Sequence, residues 1–170
     1  MRGNKNKTSG DFIAVLHNIR SLHNVGSIFR TADGAGMSKI YLCGITPAPV
    51  DNFGRPVPQL AKTSLGAEKY VEWEKVSSAA KLIGKLKKEG YEIIAVEQNK
   101  KSVPLDKFKT VNKKICLIAG NEVSGLPKPV LKLADRILEI SMFGKKESLN
   151  VSVAFGIAAY RLAGVRSKKL

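Results

Sequence analysis

Ile140-Ser141-Met142-Phe143-Gly144-Lys145-Lys146-Glu147-Ser148-Leu149-Asn150-Val151-Ser152-Val153-Ala154 is the stretch whose reading decides the fold. A short apolar run ends, a loop with glycine and lysine follows, and an apolar segment then runs to Gly164. Leu149, Val153, Gly156, Ile157 and Tyr160 recur there at helical spacing, with Val151, Ala154, Ala158 and Ala159 on the other sides. A helix apolar nearly all round is expected to be buried. Ser148 is the expected N-cap, its hydroxyl accepting from the free N–H groups of the first turn. Asn150 then falls in that first turn, where an amide needs partners from the protein or from a ligand. A capped core helix with no further role satisfies this pattern equally well.

Upstream, apolar runs and amphipathic segments alternate. Asp11 to Leu16, Lys39 to Leu42, Val71 to Trp73, Tyr91 to Glu97, Lys114 to Ala119 and Arg136 to Ile140 read as strands. Asn24 to Ala35 reads as a helix, its stripe of Val25, Ile28, Phe29 and Ala32 facing inward, Arg30 and Asp33 pointing away, and Gly36 suiting its C′ position. Leu60 to Gly66 is a helical turn. Ser77 to Glu89 is an amphipathic helix ended by Gly90, and a helix follows from about Pro127 to Ala134. Continuous apolar strands such as Ile115 to Ala119 imply a mostly parallel sheet with helices on both faces, an α/β fold. Cys43 to Pro58 is a loop holding four of the seven prolines, and loops of that length are often functional.

The length of 170 residues suits one domain, spanning 11–164, with a basic disordered arm at 1–10 and a basic tail at 165–170. Lys and Arg number 29 against 14 Asp and Glu, a formal charge of +15. Such an excess favours a polyanionic partner, above all nucleic acid. No basic amphipathic helix with bulky anchors argues for a membrane surface, and no run has the length of a membrane span. A cytoplasmic protein is expected. Cys43 and Cys116 sit in or beside apolar runs and read as buried thiols. His17 and His23 have poor metal-ligand spacing, so no metal is expected.

Two nucleotide-binding signatures fail. Gly34 and Gly36 follow a helix rather than a strand, and Gly120 and Gly125 are followed by Leu126 and Pro127 rather than a phosphate-binding Lys. The loops suited to a ligand lie in the C-terminal half.

Three blocks then fit together: Asn24-Val25-Gly26-Ser27-Ile28-Phe29-Arg30-Thr31-Ala32-Asp33; Ile118-Ala119-Gly120-Asn121-Glu122-Val123-Ser124-Gly125-Leu126; and Ser148-Leu149-Asn150-Val151-Ser152-Val153-Ala154. A weaker fourth is Thr63-Ser64-Leu65-Gly66-Ala67. Over residues 11–164 the chain resembles the SpoU (TrmH-type) RNA ribose 2′-O-methyltransferases of the SPOUT superfamily. The resemblance implies a C-terminal deep trefoil knot, a rare topology. It implies S-adenosylmethionine as cofactor, with Gly120, Ile140 and Leu149 at matching contact positions and Ala119, Met142, Glu97 and Gln98 as further candidates. It implies methyl transfer to a ribose 2′-hydroxyl of tRNA or rRNA by a homodimer whose site the second subunit completes.

Arg30 matches the residue assigned to activating that hydroxyl. A guanidinium stays protonated, so it suits stabilising an alkoxide or holding a phosphate, and the base stays unassigned. By spacing alone, Arg30 is equally a surface partner of Asp33. The resemblance gives Asn24 to the ribose or to orienting Arg30, Glu122 to fixing Arg30, and Ser148 and Asn150 to the reacting centre. Singly, Asn24 is also a plain N-cap and Glu122 a solvated loop carboxylate.

Many relatives carry additional RNA-binding segments. Here RNA capture is expected to rest on Arg2, Lys5, Lys7, Arg166, Lys168 and Lys169, with Arg30, Arg55, Lys62, Lys145 and Lys146 as further contacts. The family's wobble-position members read differently, so another tRNA or rRNA ribose is expected. A non-catalytic RNA-binding module of the same fold is the alternative; a different α/β enzyme acting on an anionic nucleotide is another.

Overall fold

The computed structural model describes residues 12–110 and 112–167, with side chains to Gly164. The expected N-terminal arm and the basic side chains of the expected tail lie outside the described residues.

The strands are β1 (Phe12–His17), β2 (Lys39–Cys43), β3 (Glu72–Val76), β4 (Glu92–Val96), β5 (Val103–Pro104), β6 (Ile115–Ala119) and β7 (Arg136–Glu139). The helices are α1 (Leu22–Gly34), α2 (Pro58–Ser64), α3 (Ala79–Lys88), α4 (Lys128–Leu131) and α5 (Val151–Ser167). The sheet order is β3-β2-β1-β6-β4-β7-β5, and every neighbouring pair is parallel. The expected mostly parallel sheet is therefore parallel throughout its named strands.

Alternation along the strands divides the core into two layers. Phe12, Ala14, Leu16, Ile40, Leu42, Ile94, Leu117 and Leu138 pack against Val25, Ile28, Phe29 and Ala32 of α1 and Phe155, Ala158, Ala159 and Leu162 of α5. Ile13, Val15, Ile93, Ala95, Cys116 and Ile118 pack against Leu82, Ile83 and Leu86 of α3 and Val130 of α4. Helices cover both faces, as the apolar strands predict. Cys43 and Cys116 are buried free thiols, and burial pushes Cys43 up to about 11.

Several local expectations change. Ser21, not Asn24, caps α1: its side chain accepts from Asn24 N–H at 3.2 Å. Gly36, at φ +75°, stands just past the helix end as expected. β3 starts at Glu72 rather than Val71 and runs to Val76, and α4 is only four residues long. The two-residue β5 was not visible in the sequence pattern; its Pro104 is tolerated because β5 is an edge strand.

The largest correction concerns α5. It begins at Val151, and Asn150 rather than Ser148 caps it, with Oδ1 accepting from Ser152 N–H at 2.9 Å and Ser152 Oγ at 2.7 Å. Asn and Ser are near-equal caps, so sequence preference could not choose between them. Nor is α5 buried all round. Val153, Ile157 and Tyr160 are 49%, 44% and 58% exposed and form one apolar stripe.

Among the described residues, no helix is long and apolar enough to cross a membrane, and no cluster of His, Cys, Asp or Glu is arranged to hold a metal ion.

Candidate active site

In the sheet order, β6 enters between β1 and β4, and β7 between β4 and β5. Ligands of open parallel sheets bind beyond the carboxyl ends of strands where the order reverses. Three loops leave the carboxyl ends of β4, β6 and β7, and they enclose a cleft of about 290 Å³. Its walls include Glu97 and Gln98 from the first loop, Ala119, Gly120 and Glu122 from the second, and Ile140, Met142, Ser148 and Leu149 from the third. All seven residues named for the cofactor therefore line one cavity.

Packing fixes these loops. A Cβ on Gly120 would stand 2.7 Å from Gly125 C and 2.8 Å from Leu126 N, so only glycine lets the second loop fold onto itself. The Glu97 carboxylate turns into that loop: Oε2 accepts from Leu126 N–H at 2.8 Å, and Oε1 accepts from Gln98 N–H at 3.1 Å. Gln98 Nε2 donates to Glu147 O at 2.6 Å, tying the first loop to the third. Glu97 and Gln98 thus hold the walls together as well as lining them.

At one end of the cleft a hydrogen-bonded chain joins all three sequence blocks. The Glu122 carboxylate accepts from the backbone N–H of Arg20 and Ser21, each at 3.3 Å, and from Asn24 Nδ2 at 3.2 Å. Asn24 Oδ1 accepts from Asn150 Nδ2 at 3.1 Å. Partial burial of Glu122 raises its carboxyl, but its own N–H, the Asn24 amide and the N–H groups of Ser21 and Arg20 outweigh that, leaving it below the usual range. Glu122 is therefore an anion that orients Asn24. It does not contact Arg30, contrary to the expectation from the resemblance.

Arg30 lies six residues beyond Asn24 on α1, about 9 Å along the axis. It is exposed, it does not line the cleft, and it forms no ion pair with Asp33. Its guanidinium is free for a partner outside the chain. Thr31 and Gly34, on the adjoining side of α1, meet Gly156 and Tyr160 of α5. Arg30 thus sits outside the cleft, on the helix that supplies Asn24.

The remaining candidates lie on surrounding surface. Lys145 and Lys146 are exposed in the third loop, and Lys62 is exposed in the last turn of α2. Arg55 is held by Asp51, with an Nη2–Oδ2 distance of 2.8 Å. Lys100 and Lys101, missed in the sequence, are exposed in the first loop, which the Gln98–Glu147 bond ties to the loop that carries Lys145 and Lys146. The fourth block is architectural: Gly26 permits α1 to touch Leu60 O and Thr63 Oγ1 of α2, and Leu65 takes a left-handed φ of +50°.

The charge of the cleft runs against that of the chain. Glu97, Glu122, Glu139 and Glu147 line it, and no Lys or Arg does. In a protein of net charge +15, such a cavity disfavours a phosphate-bearing ligand and suits a cation with apolar flanks. Apolar walls come from Val96, Ile140, Met142 and Leu149. A sulfonium donor carrying an adenosine group fits that donor set.

The SpoU rRNA Methylase family model matches residues 11–160. The chain is 31% identical over 165 residues to the tRNA (guanosine(18)-2′-O)-methyltransferase of Aquifex aeolicus, covering 96% of this chain and 74% of that protein. It is 31% identical to the enzyme of the same description from Borreliella burgdorferi, covering 87% of this chain and 64% of that one. The AdoMet-bound rRNA methyltransferase from Sinorhizobium meliloti superposes with a TM-score of 0.83 at 25% identity, covering 97% of this chain and 60% of that structure. The chain thus spans about three quarters of the first relative and under two thirds of the other two. With three motif blocks joined at one cleft and the family model matching almost from end to end, the chain belongs to the SpoU rRNA methylase family.

Proposed function

We propose that this protein transfers a methyl group from S-adenosylmethionine to a ribose 2′-hydroxyl of structured RNA. The observation that carries the reading is the lysine-free, carboxylate-lined cleft, joined through Glu122, Asn24 and Asn150 to the exposed guanidinium-bearing helix. When bound, the cofactor supplies an electrophilic methyl on a sulfonium, which leaves as a neutral thioether.

The protein's own residues do the rest. Glu97 and Gly120 hold the cleft open at a fixed width. Ala119, Ile140, Met142 and Leu149 present apolar surface, and Gln98 spans two of its loops. Glu122 fixes the Asn24 amide, which fixes Asn150, so the polar edge of the site has one arrangement of donors and acceptors. Ser148 is exposed at the rim and offers a hydroxyl to the incoming ribose. Arg30, being always protonated, stabilises negative charge on the attacking oxygen or holds the adjoining phosphate. Arg30 has no site to accept the proton, which a substrate phosphate held by it would take.

The exposed stripe of Val153, Ile157 and Tyr160 supports a homodimer through α5. Entry of β7 between β4 and β5, with α5 returning across the sheet to α1, supports the trefoil knot. Lys62, Lys100, Lys101, Lys145 and Lys146 serve as phosphate contacts, and the enzyme works in the cytoplasm with its RNA.

The test is transfer of labelled methyl from S-adenosylmethionine to bulk tRNA and rRNA, with modified riboses located by resistance to alkaline hydrolysis. A cofactor that binds without labelling any RNA would favour the non-catalytic RNA-binding module.

A further inference from the structure

Phe53 is 82% exposed at the tip of the loop between β2 and α2. A lone exposed apolar side chain is ordinary; one carried on a loop closed by its own hydrogen bonds is not. Asp51 Oδ1 accepts from the N–H of Phe53 at 2.8 Å and of Arg55 at 3.0 Å. Asp51 N–H donates to Arg55 O at 2.9 Å, Gly54 N–H to Asp51 O at 3.0 Å, and Gly54 has φ +76°. Val50 and Pro56 form an antiparallel bridge below, and Val57 N–H donates to Pro49 O at 2.9 Å. The loop is thus a small closed structure rather than a loose excursion.

Arg55 completes it. Its Nε donates to Asp51 Oδ2 at 2.8 Å and its Nη2 lies 2.8 Å from the same oxygen. Its guanidinium carbon lies 4.9 Å from the centre of the Phe53 ring. Two of its nitrogens and much of its charge are therefore committed within the loop. Arg55 backs the ring on one side, and the rest of the ring faces solvent.

The position in the sheet matters as much. The loop leaves the carboxyl end of β2, the same edge from which the cleft loops leave β4, β6 and β7. β2 lies two strands from β6 and three from β4, or about 10–14 Å at the usual strand spacing. A polyanion spanning that edge from the cleft would cross the start of α1 and reach this loop.

We propose that the Phe53 ring, backed by Arg55 and braced by Asp51, is a stacking platform for one nucleobase of the bound RNA, outside the nucleotide that reacts. This rests on the reading of RNA as the partner. Stacking suits the site because every base has a π-face and the backbone that carries the ring is closed by its own hydrogen bonds. It also explains why an arginine in a basic protein is tied to a carboxylate rather than left free.

The experiment uses the full chain and bulk tRNA in filter binding across a range of salt, with wild type, Phe53→Ala and Phe53→Trp. Phe53→Ala should weaken binding by about tenfold, within the range for losing one stacked base. The slope of log affinity against log salt should stay that of wild type, because no phosphate contact is lost. Phe53→Trp should keep wild-type affinity, and tRNA should quench its added indole emission. S-adenosylmethionine binding by calorimetry should be the same in all three.

Phe53→Ala binding tRNA as tightly as wild type would overturn the platform. So would a shallower salt slope in that variant, which marks an ionic contact, or a loss of dimer mass, which marks a subunit contact. If wild type binds tRNA but methylates none, the catalytic reading fails while the binding ratio still tests the platform.

Discussion

The carboxyl edge of the sheet has two halves with opposite character. Over β4, β6 and β7 lies a cleft walled by four glutamates and apolar side chains. Over β1 and β2 lie the start of α1 and the Phe53 loop, with exposed Arg30 further along α1 and exposed Lys62 in the last turn of α2. One half suits a small cation, the other a long polyanion. A +15 chain that surrounds its cavity with carboxylates keeps the two substrates from competing for one site. The Glu122–Asn24–Asn150 chain is where the halves meet.

With the edge divided in this way, Arg30→Ala should damage only the second half. Methyl transfer should fall by about 10²–10³-fold, as for loss of one preorganised charge donor, with cofactor affinity unchanged. Single-turnover transfer beside calorimetry checks this; cofactor affinity falling in step with rate would mean that Arg30 belongs to the cleft. Arg30→Lys should recover little if the planar fork matters.

The exposed stripe of α5 tests whether both halves come from one subunit. Ile157→Asp places a charge in the middle of that stripe, and if the proposed homodimer forms there, light scattering should find wild type as a dimer and the variant as a monomer. Transfer should fall at least tenfold, a loss of about 1.4 kcal/mol. A monomer with full activity would show that one chain holds a complete site.

Gly120→Ala should damage the first half alone. The added methyl meets the backbone of Gly125 and Leu126 at 2.7–2.8 Å, so the second loop must shift. Overpacking of this kind costs about 1–3 kcal/mol, readable as a lower urea midpoint. Cofactor affinity should fall while tRNA affinity holds.

Much of the molecule was legible in the sequence, and the failures have physical causes. Ile115–Ala119 is apolar at every position because both faces of β6 are covered, and that alone implied a parallel sheet. The stripe of Val25, Ile28, Phe29 and Ala32 fixed the phase of α1, so Arg30 was correctly expected to face outward. The cofactor candidates converge because their motifs share strand ends. What failed was long-range side-chain choice. Glu122 was assigned to Arg30, yet it turns to Asn24 and two backbone N–H groups that only the tertiary fold brings near. Helix α5 was expected to be buried because its composition is apolar on all sides, and composition does not distinguish a core from an uncovered face. The Phe53 platform was unreadable because it depends on Asp51 closing its own turn.

The smallest expected effect probes the junction itself. The Glu122 carboxylate is met by donors alone, the N–H groups of Arg20 and Ser21, the Asn24 amide and its own N–H. Glu122→Gln must therefore aim an amide N–H₂ at a donor, or turn Asn24 so that its oxygen meets the new amide. Asn24 would then present Nδ2 to Asn150 Nδ2, and Asn150 would have to turn as well, removing the oxygen that caps α5 through Ser152. Because Glu122 is largely exposed, the stability lost should be under about 1 kcal/mol. Protonation makes the same mismatch. The folded carboxyl is held below its unfolded value of about 4.3, so its contribution is complete above that pH and disappears as pH falls through the folded value. Wild type should lose stability on that acid limb, and Glu122→Gln should lose less there, having already forfeited the contribution. Urea midpoints taken down the limb measure the difference; parallel curves for the two proteins would mean that the Glu122 charge is not what orients Asn24.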